Sequence, residues 1–581
     1  MRNRHLWLAA IALAVATTVA STTATQTTAD EARVNTLAQE FQAQRAEFAR
    51  RVNAATASEG LSLARREAAW ATSFAKRLAE IDQSRLSHEA WTVHAIMAHE
   101  AALAVDAEKH YWFDFTVTPY ASPLRAVSAR FANLPILTPA QRLAYLDALH
   151  DMAVTIAGYE ARLRAQMARA IVVPGPELDL AVPFLRAIAA DPPSSAFAPP
   201  VTKLAALPAE VRADFERQIQ TVIAESIAPA LDRLAAFMDG PYRAKAPAGV
   251  GVAQYDGGRE YYQYLIRLYT GLDLTPEAIH EIGMREVTRL DGELDKVRVA
   301  ANFGGTLAEF RRHLKTDRRF FPKSSDEIGE TMMAAIRRIE PKVGAFFTRM
   351  PKAPYGVLRL DPALEPSMTY GYYQLPSSAE PRGLYRFNGS KPEERSLVMA
   401  AATIFHELVP GHHFQLALKA EDPGLSPVRR SAFYPPFIEG WAEYASDLAG
   451  EMGMYDDPYD KAGRIAMDLF LSTRLVVDTG MNVLGWSRER AMAFMRDYTL
   501  ESDLQISTET LRYAADRPGQ ALAYKLGTLK IHEIRARLSK EMGANFDLAR
   551  FHGYLLDSGS LPLAVLDRYM NCFAKELHKG G

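Results

Sequence analysis

The sequence has a single cysteine, Cys572. No intramolecular disulfide, cysteine-rich zinc site or CxxC redox pair can form from it. Charge of one sign is also lacking: 67 Lys and Arg face 69 Asp and Glu, for a formal net charge of -2. Duplex binding needs a basic face to displace counterions, so nucleic acid is not an expected partner. Beyond the N-terminus no apolar run approaches the roughly 20 residues that cross a bilayer, so no stable membrane insertion is expected. Gly304-Gly305 is not a phosphate loop, since no GKS or GKT follows, and no GxSxG nucleophile elbow occurs. No fixed-period repeat is visible. What is present is ordinary globular material, 48% apolar and 23% charged over 581 residues. That is more core than one average domain contains.

The first segment reads as an address. In Met1–Ala24, Arg2 and Arg4 precede a continuous apolar run from Leu6 to Ala16, and small residues follow, with Ala20 and Ala24 as cleavage points. This is the pattern of a secretory signal peptide. No cysteine lies near the junction to accept a lipid. A bacterial periplasmic or secreted protein is the expectation.

The remainder is expected to be mainly α. From Glu31 to about Ala170, and again from Ala209 to Phe237, apolar residues recur at spacings of three and four, as on amphipathic helices. Val172–Val201 and Ala244–Gly258 are rich in Pro and Gly and read as connections. Thr275, Pro276 and Glu277 mark a helix start. Tyr355–Asn388 is rich in Tyr, Pro and Gly and reads as a small β element. The expected organisation is a leader over residues 1–24, an N-terminal helical region over 25–240 and a catalytic region over 241–581. The last two form either separate lobes or one continuous helical domain.

The chemistry is concentrated between Glu393 and Tyr444. Ser390-Lys391-Pro392-Glu393-Glu394 reads as a helix start, and the run Leu397–Phe405 as a buried helix. That helix ends in His406-Glu407-Leu408-Val409-Pro410-Gly411-His412-His413. A buried helix seldom carries such groups for packing. HExxH places two imidazoles on one helical face with a Glu beside the metal. Here the fourth residue after His406 is Pro410, which cannot ligate. Pro410 breaks the helix, and Gly411 supplies the backbone freedom to restart it. On an unbroken helix a residue seven positions on lies about 10 Å away, so the break must fold the chain back to bring His412 or His413 to an ion. His412, the first residue after the break, is the expected ligand, with His413 beside it as a catalytic or substrate-contacting group. In Phe437–Ala445, Glu439 and Glu443 share one helical face. Glu439 is the expected third ligand, since two His and one Glu with an open position is the catalytic zinc pattern. Glu443 is expected to orient a ligand histidine.

FHELVPGHHFQ followed by IEGWAEYA resembles a large bacterial family of zincin-like proteins known as domain of unknown function 885. GREYYQYLIRLYTGLDLTPEAIHEIGMREV, YGYYQLP and RPGQALAYKLG fit the same family, so the resemblance runs from about Gly240 to the C-terminus. The family is similar to gluzincin metallopeptidases, in which a Glu of such a segment completes the zinc site. The resemblance implies helical lobes around a zincin-like active-site cleft, with Zn2+ as cofactor and a peptide as substrate. The departure from plain HExxH is shared within the family.

Glu407 is then the expected general base, taking a proton from the attacking water and passing it to the leaving amine. A tetrahedral oxyanion needs a further donor; Tyr524, His413 and one of Tyr370, Tyr372 and Tyr373 are candidates. Lys525 or Arg517 is a candidate for holding a substrate carboxylate. Tyr372 and Tyr373 lie in a segment suited to pair with an extended peptide. Two other readings compete with an exported zinc peptidase: a binding or scaffold protein that keeps the zincin shell, and a zinc hydrolase of a non-peptide amide. His94, His99 and His110 are expected to be core, surface or packing residues, His532 and His552 have no partner legible in the sequence, and Arg311, Arg312, Lys315, Arg318 and Arg319 are expected to form a solvated face.

Overall fold

The computed structural model describes residues 29–573, apart from 55–56, 189, 191–195, 363–364 and 366–369. The leader reading of Met1–Ala24 falls outside them.

Most of these residues are helical, and the capping chemistry in the sequence sets where helices begin. The longer helices are α1 (Ala29–Ala54), α2 (Ala57–Ala79), α3 (His88–Ala107), α4 (Pro139–Met167), α5 (Gly175–Ile188), α6 (Ala209–Val222), α7 (Ala228–Phe237), α8 (Gly258–Thr270), α9 (Pro276–Ala300) and α10 (Ser325–Val343). Thr275 accepts a hydrogen bond from the Ala278 amide, with Pro276 in the first turn of α9, as its sequence implies. Three short strands follow: β1 (Tyr355–Arg359), β2 (Gly371–Gln374) and β3 (Gly383–Phe387). β3 is central, parallel to β1 and antiparallel to β2, with Tyr373 opposite Tyr385. β2 is therefore an edge strand. The C-terminal part holds α11 (Ala400–Glu407), α12 (His412–Glu421), α13 (Pro435–Glu451), α14 (Pro458–Asn482), α15 (Asp503–Leu511), α16 (Leu522–Met542) and α17 (Leu548–Asp557). No helix among the described residues is long and apolar enough to cross a membrane.

Two local expectations are corrected. Val172–Val201 is not all connection, because it contains α5. Leu178, Ala181, Val182 and Leu185 recur at helical spacing and are buried, which outweighs the backbone donor lost at Pro183. The segment from Ser390 does not begin the buried helix. Pro392–Glu394 makes a single 3-10 turn, and α11 starts only at Ala400. The Leu397 amide is drawn off to the Phe320 carbonyl at 2.7 Å, so the intervening backbone bonds outside a helix.

The buried apolar side chains fall into three clusters. The first takes residues from both ends of the chain: Val34 and Phe74 of α1 and α2, Phe405 and Trp441 of α11 and α13, and Leu555 of α17. The second is built from α4 to α8, with Leu522 and Leu526 of α16. The third joins α9 to α14. α16 lies against all three groups, packing along α13 with Gly440 on Gly527: a Cβ on Gly440 would stand 2.5 Å from the Gly527 carbonyl carbon. Only paired glycines permit so close a crossing.

Candidate metal centre

α11 ends on buried His406 and half-buried Glu407. Leu408 leaves the helical region at φ -113° and ψ -85°, Pro410 follows, and Gly411 turns the chain back. A Cβ on Gly411 would lie 1.8 Å from the His406 carbonyl oxygen, so no larger residue fits. The Trp441 indole of α13 donates to the Pro410 and Gly411 carbonyls at 3.1 and 3.2 Å, pinning the return. α12 then starts at His412. The His406 and His412 rings stand edge to face with centroids 4.5 Å apart.

Glu439 of α13 completes the group. Its Oε2 is 3.6 Å from His406 Nε2 and 3.4 Å from His412 Nε2. One ligand atom from each of the three residues lies within 4.8 Å of the others. A tetrahedral zinc with N and O ligands at about 2.0–2.2 Å separates those ligands by roughly 3.4 Å. The three donors fit such an ion in chemistry and in spacing. The histidine atoms are buried, and His412 Nδ1 has no hydrogen-bond partner among the described residues.

Glu443, one turn beyond Glu439, is buried and holds His406 from behind. Its Oε1 is 2.8 Å from His406 Nδ1, and its Oε2 accepts from Arg464 of α14 at 2.9 Å. Burial opposes its ionisation, but Arg464 and His406 overcome that and hold its carboxyl down at about 2. Without a metal, burial lowers His406, yet Glu443 with Glu407 and Glu439 outweighs it and raises the imidazole to about 9. Arg464, the partner of Glu443, is a residue of this cluster that sequence reasoning missed. Its one signal is an arginine in α14, a helix whose neighbouring positions are nearly all buried.

Glu407 makes no ion pair or hydrogen bond with any described residue. Burial raises its pKa, and the two histidines partly offset this. Its charge is felt by Tyr373 and Tyr385 of the sheet as well as by the two histidines.

The remaining candidates separate. His413 is turned away from the cluster: its Nε2 is 3.0 Å from the Ala353 carbonyl and its Nδ1 is 2.9 Å from the Tyr373 hydroxyl. The carbonyl can only accept, so Nε2 carries the proton and Tyr373 donates to Nδ1. Burial lowers this imidazole to about 4. Both ring nitrogens are occupied, and His413 fixes Tyr373. Tyr372 points to the other side of β2 and is 41% exposed. Tyr370 donates to Glu501. Tyr524 stands near Glu439; burial first, and then the Glu439 charge, push its phenol up to about 12, and its hydroxyl meets no described partner. Lys525 is not brought to the cluster. Its ammonium lies 2.6 Å from Asp468 and 2.9 Å from Glu286, beside a cavity of about 450 Å³ that Arg464, Asp447 and His532 also line.

Among the histidines set aside, His94 bonds to the Leu78 carbonyl, and His552 lies between the Tyr444 hydroxyl and the Phe346 carbonyl. His532 pairs with Asp447 at 3.2 Å. Arg311 departs from the solvated face: it is largely buried against Asp291 and the Tyr498 ring.

The model of a bacterial protein family of unknown function, DUF885, matches residues 54–570. The chain belongs to this family. The match reaches back through α2, well beyond the segment in which the sequence resemblance was legible. Two solved structures are similar, both described as putative lipoproteins. One, from Colwellia psychrerythraea, is 25% identical with a TM-score of 0.81, covering 94% of this chain and 99% of its own. The other, from Shewanella oneidensis, is described as of unknown function. It is 17% identical with a TM-score of 0.66, covering 88% and 92%, and shares the fold. No curated protein matches the sequence. As a DUF885 protein, the chain has a fold held in common over nearly its whole length.

Proposed function

We propose that this DUF885 protein is an exported, zinc-dependent peptidase acting on short peptides. The observation that carries the reading is the convergence of His406, His412 and Glu439, with Glu407 beside them and unpartnered. When bound, zinc supplies Lewis-acid polarisation of the scissile carbonyl and acidifies water. The chain's own groups do the rest. Glu407, its pKa raised by burial, accepts the proton of the attacking water and returns it to the leaving amine. Tyr524, with a free hydroxyl near Glu439, donates to the developing oxyanion. Glu443 holds His406 in the tautomer that presents Nε2 to the cluster. β2, an edge strand whose Tyr373 is fixed by His413, offers main-chain groups to an extended peptide.

Export is part of the same reading. The Met1–Ala24 pattern supports it, as does the description of the Colwellia relative as a lipoprotein. The position of the mature N-terminus in fractionated cells tests it.

The test of activity compares the zinc-loaded protein with Glu407→Gln on a peptide library read by mass spectrometry. Cleavage by the wild type alone is the expected result. Both proteins holding zinc while neither cleaves would sink the peptidase reading in favour of a non-peptide amide or a binding role.

A further inference from the structure

Exposed aliphatic side chains occur singly on every protein surface and need no partner. One group here is not single. Val201 is 82% exposed, more than any other large apolar side chain among the described residues, and Leu137 and Leu143 are 64% and 62% exposed. Hydrogen bonds tie together the three segments that carry them. The Lys203 ammonium, in the turn Val201–Leu204, donates to the Ala132 and Leu134 carbonyls at 2.7 and 2.6 Å. Arg142, beside Leu143 in the first turn of α4, donates to the Leu137 carbonyl at 2.9 Å. Beneath them Tyr145 donates to the Phe197 carbonyl at 2.8 Å, and both rings pack on Phe131. The three side chains thus belong to one continuous piece of surface.

The charge of that surface has one sign. No acid occurs in the sequence between Asp114 and Asp147, or between Asp191 and Glu210. Arg130, Arg142 and Lys203 lie within these stretches, and none of them makes an ion pair with a described residue. Arg142 and Lys203 bond only to carbonyls, which leave their charge in place. Arg130 is exposed beside the Phe131 ring. Elsewhere on the same helices the arginines are paired: Arg164 of α4 with Glu160, and Arg217 of α6 with Asp214. Asp147, one turn beyond Leu143, marks the edge of the acid-free surface.

Unpaired cations among exposed aliphatics match an anionic bilayer. Headgroup phosphates take the cations, and the aliphatic side chains enter between the headgroups and leave water. A soluble polyanion would use the cations and leave Leu137, Leu143 and Val201 wet. An apolar protein face would cover the aliphatics and leave three cations without counter-charge.

We infer that Leu137, Leu143 and Val201, with Arg130, Arg142 and Lys203, dock the protein on an anionic phospholipid membrane. The protein lies on the bilayer and does not cross it, in keeping with described helices too polar to span one. This inference is independent of the peptidase reading.

The test is co-sedimentation of the mature protein with vesicles of phosphatidylcholine alone, or of phosphatidylcholine mixed with phosphatidylglycerol. A cation near an anionic surface contributes about fivefold in affinity, so the mixed vesicles are expected to bind at least tenfold more tightly. High salt should abolish the preference. Arg130→Glu should weaken binding to the mixed vesicles at least fivefold, and Leu137→Ser with Val201→Ser at least tenfold. All these side chains are exposed, so the variants should melt as the parent does. Val299, 60% exposed at the end of α9, is the control, and Val299→Ser should bind as the wild type. Equal binding to both vesicles, binding to neither, or a preference that survives high salt overturns the inference. So does wild-type binding by the patch variants, or an equal loss in Val299→Ser. A lipid-free dimer that Leu137→Ser with Val201→Ser dissolves would overturn it in favour of a second copy of the chain.

Discussion

Glu443 Oε1 stands 2.8 Å from His406 Nδ1, on the side of the ring opposite the metal cluster. Its second oxygen is taken by Arg464, whose side chain is 5% exposed. The carboxylate thus couples the orientation of His406 to a buried ion pair. Glu443→Gln keeps the shape and loses the charge. Zinc affinity is expected to fall about 10–100-fold, measured by competition with a chromophoric chelator. The metal-free protein should also be destabilised by about 3–5 kcal/mol, because buried Arg464 loses its 2.9 Å carboxylate and keeps only Asp447 at 3.8 Å. Unchanged zinc affinity would remove Glu443 from the site.

Gly411 makes a second, steric prediction. A Cβ there would sit 1.8 Å from the His406 carbonyl oxygen and 2.4 Å from its carbon. Both are backbone atoms, so no side chain can swing aside. Gly411→Ala must shift His412 relative to His406. A helical circular dichroism spectrum like the wild type's, with zinc retention lowered at least tenfold, is expected. Full retention of zinc would mean that the return turn adapts.

Tyr524 tests the oxyanion role. Tyr524→Phe removes only the hydroxyl. The expected loss is about 10²–10³ in kcat, with KM changed by less than threefold, in steady-state assays on a cleaved peptide. A loss confined to KM would assign Tyr524 to substrate binding instead.

Glu177 gives a prediction about pH. It lies in α5 with no exposure, and neither carboxylate oxygen has a partner among the described residues. Burial, and next the charge of Asp516, raise its pKa well above the ordinary 4.5. The folded state favours the protonated group, whereas the unfolded chain ionises it above about 4.5. Its cost to stability is therefore absent below that value and grows as pH rises through neutrality. Glu177→Gln should stabilise the protein by about 1–3 kcal/mol near pH 8 and leave it unchanged near pH 4. Thermal midpoints at the two pH values measure this. An equal gain at both would mean that ionisation is not the cause.

The sequence by itself determined the helical class, the short β segment near Tyr355–Asn388 and the residue types of the His-His-Glu cluster. Those are local facts: spacing of apolar residues, Pro and Gly breaks, and a His-Glu pair ending a buried run. It also determined that the helix must break at Pro410-Gly411, since Pro410 lacks an amide donor. Only the tertiary structure decided which of His412 and His413 stands with His406 and Glu439. Both follow the break, and the choice depends on where Trp441 pins the turn and on Tyr373 and Ala353 occupying the nitrogens of His413. Arg464 lies 21 residues beyond Glu443, on another helix, so no spacing rule links them. Lys525 and Tyr524 are adjacent in sequence but face different surroundings, one held by Asp468 and Glu286 and the other beside Glu439. Neighbours on a helix point about 100° apart, and what each meets is set by helices that pack from distant parts of the chain.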